Sequence, residues 1–160
     1  MLNNLYIGID LSLTSTGIII LDDFEILIKK LIKTKNDLDI EDRLLYISDT
    51  IFNLVNNYSK YNKIIYIEGL SYNSKNSCRM LELAGLHYLI RSDMRRINLK
   101  YEIIPPATLK KFVTGKGNCK KNLIILYVYK KWNIELSDDN LADAYSLARM
   151  ALDNNTKGIK

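Results

Sequence analysis

The chain has 160 residues, 48% of them hydrophobic and 26% charged, which is the size and make-up of one ordinary globular domain able to bury roughly two thirds of its unfolded surface. No apolar run approaches the ~20 residues of a membrane helix, and no cationic start leads into an apolar core of the signal-peptide kind. A cytoplasmic protein with no membrane partner is expected, and Cys78 and Cys119, far apart and without CxxC spacing, read as reduced thiols.

Leu5, Ile7 and Ile9 alternate with Tyr6, Gly8 and Asp10. The period of two predicts a strand, with Asp10 at its end on the face opposite the isoleucines. Residues 16–21 and 25–31 read as two further strands joined by a turn at Asp22-Asp23, so the three make an antiparallel meander. Ile40, Leu44, Ile47, Ile51 and Leu54 keep helical spacing, with Asp39 as the expected cap. Residues 63–68, "KIIYIE", are a short and nearly apolar strand of the sort found inside a covered sheet. Residues 79–96 read as a helix with Leu83, Leu86, Leu89 and Ile90 inward, and 99–104 as a fifth strand stopped by Pro105-Pro106. A short helix over 108–113, the loop "TGKGN", a helix over 120–131 and a final helix over 139–152 follow. The polar end, "DNNTKGIK", is expected to fray. The order predicts an α/β fold: a five-stranded mixed sheet, antiparallel meander plus parallel strands, flanked by helices. One domain is expected over residues 1–153, with a polar tail at 154–160.

Charge is distributed unevenly. Residues 103–134 contain no Asp or Glu but hold Lys110, Lys111, Lys116, Lys120, Lys121, Lys130 and Lys131, within a formal net charge of +5. Soluble surfaces normally intersperse both signs. A single-sign stretch points to a polyanion, most simply nucleic acid, with a plain basic surface as the alternative.

Three acids sit where a surface charge does not belong. Asp10 ends the first strand, Glu68 ends the apolar fourth, and Asp143 lies among Leu141, Ala142, Ala144 and Leu147. Each could alone be a turn cap or a satisfied buried acid. A lone buried carboxylate costs several kcal/mol, however, so each needs a partner or a metal. If the strands of Asp10 and Glu68 are neighbours, their backbones lie ~4.8 Å apart, and a divalent cation relieves the repulsion. Oxygen-only ligands favour Mg²⁺ or Mn²⁺, and two such ions can clamp a phosphodiester. For a fourth ligand, Asp139 shares a helix face with Asp143, as does Asn140, whereas Asp138 lies off it. The competing reading makes Asp138 and Asp139 first-turn acids at a helix capped by Ser137. His87, the only histidine, lies among leucines and an isoleucine and reads as packed or interfacial. Nothing near it supports a Ser-His-Asp triad or a histidine zinc site, and "TGKGN" lacks the GxxxxGK[ST] of a nucleotide-phosphate loop.

The stretches "IGIDLSLTSTGIII", "IIYIEGLSY", "LELAGLHYLIR", "IPPATLKKFVTGKGNCKK" and "DDNLADAYSLARMA", in this order, resemble the RuvC-type Holliday junction resolvases, in the short form found in bacteriophages and some low-GC bacteria. The resemblance implies an RNase H-like fold, a homodimer, two Mg²⁺ ions (Mn²⁺ substituting) and symmetric nicking of four-way DNA junctions. The expected cuts leave 5′-phosphate and 3′-hydroxyl ends. By position it makes Asp10, Glu68 and Asp143 metal ligands, with a fourth on the last helix. Where many relatives place that fourth residue this chain has Asn140, and Asp139 is the candidate substitute. It assigns Lys110 and Lys121 to the scissile phosphate. Lys111, Lys116 and Lys120 join them in binding DNA, and Tyr72 is the candidate for stacking at the junction centre. The helix over 79–96 is expected to contribute to the dimer, with Gly85 packed close against another backbone. Three other readings stay open: a broader branched-DNA nuclease, a nucleotide-binding protein of the actin and sugar-kinase group, and a non-catalytic DNA-binding module.

Overall fold

The computed structural model describes residues 3–35, 37–70, 77–119 and 123–157. Tyr72, Lys120 and Lys121 lie outside the described residues. The remainder forms β1 (Asn4–Asp10), β2 (Ser15–Leu21), β3 (Ile26–Lys33), α1 (Ile40–Asn56), β4 (Asn62–Glu68), α2 (Ser77–Arg96), β5 (Tyr101–Ile104), α3 (Pro106–Thr114), α4 (Leu123–Trp132) and α5 (Asp139–Lys157). The sheet order is β3-β2-β1-β4-β5. β1 pairs antiparallel with β2 and β2 with β3, whereas β1–β4 and β4–β5 are parallel. This is the mixed five-stranded sheet that the sequence pattern implies.

Period-two alternation divides the core into two layers. Leu5, Ile7, Ile9, Ile18, Ile20, Ile65 and Ile67 pack with Ile47 and Ile51 of α1 and Leu86, Ile90 and Met94 of α2. On the opposite face Tyr6, Ile19, Leu21 and Tyr66 pack with α5 and with Leu109, Ile124 and Val128 of α3 and α4. Apolar burial of this extent, at about 25 cal/mol per Å², is what holds the sheet between its helices.

Several element ends differ from the sequence expectation, each for a local reason. β5 begins at Tyr101 and not at 99, because Leu99 closes α2. Asn98 takes a left-handed φ of 56°, its N–H donates to Arg95 O at 3.1 Å, and Leu99 N–H donates to Met94 O at 2.9 Å, the bond pattern of a Schellman end. α3 begins at Pro106, where a proline loses no helical hydrogen bond. Gly115 ends α3 with a φ of 78°, a left-handed backbone that glycine adopts without steric cost. Asp39 occupies the cap position of α1 but gives it no side-chain hydrogen bond. α5 runs five residues past its expected end. Residues 153–157 are helical and not frayed, because the Asn154 amide donates to the Tyr66 hydroxyl and the Asn155 amide to the Tyr6 hydroxyl, each at 3.1 Å. Ser137 does not cap this helix. The Asp138 carboxylate does, accepting from the N–H groups of Asn140 (2.8 Å) and Leu141 (3.3 Å).

Candidate metal centre

Parallel pairing of β1 with β4 aligns Ile9 with Ile67, so the next residues, Asp10 and Glu68, end neighbouring strands at the same end of the sheet. Both stand on the α5 side, in phase with Tyr6 and Tyr66. α5 supplies the third acid because two glycines let it lie directly on the sheet. A Cβ built on Gly8 would stand 1.9 Å from the Ala144 carbonyl oxygen, and one on Gly17 would stand 2.3 Å from the Asn140 carbonyl oxygen. Gly17 is also the cross-strand partner of Asp10. These two windows in β1 and β2 bring the backbone on either side of Asp143 against the strands. Neither glycine's role is visible in a linear pattern, where a strand glycine reads only as a weak position.

One carboxylate oxygen from each of Asp10, Glu68 and Asp143 lies within 4.8 Å of the others; Asp10 and Asp143 are buried and Glu68 is half-buried. Unit charges that close repel by about 3.5 kcal/mol or more per pair at an effective dielectric near 20. Three convergent carboxylate oxygens fit a hard divalent cation, and among the described residues no nitrogen or sulfur ligand joins them in this group. Asp139, half-buried at the first position of α5, stands outside the three-acid group.

The acids open into a pocket of ≈ 270 Å³. Lys110, on the α3 face turned towards the sheet, lines it, as do Leu70, Leu83, Pro106 and His87. Lys111 and Lys116 are exposed nearby in sequence. Lys131 has a different role: its ammonium donates to Phe112 O at 3.0 Å and lies 4.4 Å and 4.6 Å from the ring centres of Phe112 and Trp132, tying α4 to α3. His87 is 3% exposed. Burial, and then the charge of Arg91, lower its pKa to about 4, so it meets the acids as neutral imidazole. Its helical surroundings marked it as packed, which it is; that it packs at the mouth of the acid cluster depends on which end of α2 overhangs the sheet, and no local signal carries that.

A family model described as crossover junction endodeoxyribonuclease RuvC matches residues 6–150. The chain is 34% identical over 124 residues, 76% of each sequence, to the crossover junction endodeoxyribonuclease RuvC of Rickettsia typhi. It is 28% identical over 148 residues to that of Prochlorococcus marinus, spanning 89% of this chain and 94% of the relative. Among solved structures, Thermus thermophilus RuvC in complex with Holliday junction substrate superposes with a TM-score of 0.75 at 13% identity, covering 94% of this chain and 95% of the other. At that identity the likeness speaks for the fold, which is RNase H-like. With the matched span covering nearly the whole chain, and the three acids it contains meeting at one end of the sheet, the protein belongs to the RuvC family of crossover junction endodeoxyribonucleases.

Proposed function

We propose that this chain resolves four-way DNA junctions as a Mg²⁺-dependent homodimer, nicking two strands symmetrically and leaving 5′-phosphate and 3′-hydroxyl ends. The observation that carries the reading is the convergence of Asp10, Glu68 and Asp143 beside Lys110 in one small pocket. The three acids hold two Mg²⁺ ions, and Asp139, one helical turn before Asp143, is the candidate fourth ligand. Asp10, Glu68 and Asp143 would hold the ions, and Mg²⁺ bound there would supply Lewis acidity towards water and the phosphate. Lys110 donates to a phosphate oxygen and to the charge that develops on it. Leu70, Leu83 and Pro106 form the apolar wall, which keeps bulk water from screening that contact. His87, neutral, adds no charge to the cluster. Lys111 and Lys116 hold the flanking backbone, with Lys120 and Lys121 of the same acid-free stretch, and Tyr72 stacks at the junction centre.

Two equivalent cuts on a junction call for two copies of the site related by a two-fold axis. On α2, Leu81, Gly85, Tyr88 and Ser92 are exposed at alternating spacings of four and three, with Leu81 74% and Tyr88 63% accessible. Leu45 and Tyr46 of α1 are exposed as well. A Cβ at Gly85 would meet only Leu44 Cδ1, at 3.7 Å. The close backbone expected against Gly85 is thus absent within the described residues, and the open stripe suits the same helix of a second copy.

The test is a synthetic mobile four-way junction incubated with Mg²⁺, with cuts mapped on all four strands. Paired nicks at symmetric positions on opposing strands are expected. Equal cutting of flaps, forks and junctions would replace this reading by that of a general branched-DNA nuclease. Sedimentation of Tyr88→Glu checks the dimer: a shift towards monomer is expected, and an unchanged dimer would place the interface elsewhere.

A further inference from the structure

α2 connects the acid pocket to a second basic feature. Leu83, His87, Arg91 and Arg95 succeed one another at four-residue spacing and so form one stripe along the helix. The first two line the acid pocket. The last two line an open groove of ≈ 980 Å³ at the opposite end of the sheet, where β4 and β5 begin, together with Lys63, Lys100 and Tyr101. His87 and Arg95 are eight residues apart, about 12 Å along the axis, a length that spans three to four charges of one DNA strand at about 3.4 Å each.

The groove carries four cations against one carboxylate, Glu102. Glu102 interacts with the hydroxyl of Tyr66, which lines the same groove, so the cations outnumber the acid four to one there. Among the described residues none of the four cations is in an ion pair. The ion pairs there are Arg96–Asp93 and Arg149–Asp153. Arg91 is also held in place. Its guanidinium carbon lies 5.1 Å from the Tyr88 ring centre and 6.0 Å from that of Tyr101, and its Nε donates to the Tyr101 hydroxyl at 3.4 Å. An arginine fixed by aromatic rings with its outer N–H groups free to turn outwards is suited to phosphate. Among the described residues, the lysines of the acid-free stretch lie elsewhere, Lys110 and Lys111 on α3, Lys116 just after it and Lys130 and Lys131 on α4, and none of them lines the groove.

We propose that this groove is a second DNA-backbone site, in which Arg91, Arg95, Lys63 and Lys100 bind phosphates of an arm leaving the catalytic pocket along α2. The proposal rests on the reading of the protein as a junction nuclease and extends its footprint to the far end of the sheet. A partner with an acidic surface is the alternative occupant; four cations gathered about 12 Å from the acid pocket favour a continuous polyanion strand.

The test uses the full chain with Asp10→Asn, to prevent cutting, and adds Arg95→Ala with Lys100→Ala. Binding is measured against salt for a long-armed junction, for a junction whose arms end short of the groove, and for linear duplex. Loss of two phosphate contacts per groove is expected to make the log–log salt slope for the long-armed junction shallower by about 1.8 for each engaged groove, about 3.6 for a dimer using both, and to weaken binding at 0.1 M salt by at least about tenfold to a hundredfold. The short-armed junction should change little. Lys29→Ala with Lys30→Ala on β3 removes the same charge elsewhere and should leave the slope in place. An unchanged slope, an equal loss on long and short arms, or an equal effect of the β3 pair would overturn the proposal. So would competition by polyglutamate as strong as that by DNA and lost in the same variant, which would assign the groove to an acidic protein. If duplex and junction bind alike and both weaken in the variant, the groove stands and junction selectivity fails. If junction selectivity persists with no effect of the variant, the groove fails and the nuclease reading stands.

Discussion

Replacing Gly8 with alanine should disable the site without touching any of its acids. The new Cβ would lie 1.9 Å from Ala144 O, 2.6 Å from Ala148 N and 2.9 Å from Leu147 Cβ, where contacts under 3.0 Å essentially never occur. The first two obstacles are helix backbone, which cannot rotate away. Relief therefore requires α5 to withdraw from β1 by about 1 Å or more. Ala144 adjoins Asp143, so that carboxylate withdraws too. Overpacking of this kind costs about 1–3 kcal/mol, against which the better strand propensity of alanine returns at most about 1 kcal/mol. A misplacement of about 1 Å in reacting groups can cost about 100-fold in rate. Urea unfolding followed by circular dichroism, and single-turnover nicking of a four-way junction at saturating protein, measure the two effects. The expected result is a folded, less stable protein whose nicking rate is down about 100-fold or more. Wild-type stability together with wild-type nicking would refute the argument that Gly8 sets the distance between Asp143 and Asp10.

Lys110→Ala should lower nicking by about 10²–10³-fold while junction affinity, read by gel shift, stays within a few-fold; a parallel loss of both would make Lys110 a docking residue only. Asp138→Ala removes the hydrogen bonds from Asn140 and Leu141 and should destabilise the fold by about 0.5–2 kcal/mol, whereas Ser137→Ala should be nearly silent in the same urea titration. His87, held down to about 4 from its ordinary 6.5, takes its proton less readily folded than unfolded. Its contribution is therefore full above about pH 6.5 and is lost as pH falls from there through about 4, up to about 3 kcal/mol in all. Urea midpoints measured across that interval should fall more steeply for the wild type than for His87→Asn, and identical profiles would count against a buried neutral imidazole.

What the sequence carried was mostly periodicity. The isoleucines of β1, β2 and β4 announced which residues face inwards, and the acids at the ends of β1 and β4 stood out against that pattern. Asp143 was legible because α5 is apolar around it. The sequence could not reveal how closely α5 approaches the sheet, since that depends on Gly8 and Gly17 facing the same helix, a tertiary fact. The end of α5 was misjudged because the stabilising partners of Asn154 and Asn155 are tyrosines 88 and 149 residues away in sequence. Ser137 and Asp138 are both capping residue types, and only the hydrogen bonds select between them. Likewise, Leu99 is apolar enough for a strand, but the left-handed Asn98 commits it to closing α2. The groove beyond Arg91 and Arg95 was hidden because its cations come from three separate segments, none of which is a charge run.

Asp10→Asn is the sharpest single probe of the three-acid site, because it removes one charge from the cluster and changes almost nothing in size. Wild type and variant would be compared with one labelled junction in Mg²⁺, measuring affinity and nicking side by side. Junction affinity within a few-fold of wild type and no detectable nicks are expected. A variant that still cuts the junction at the wild-type rate would contradict that expectation.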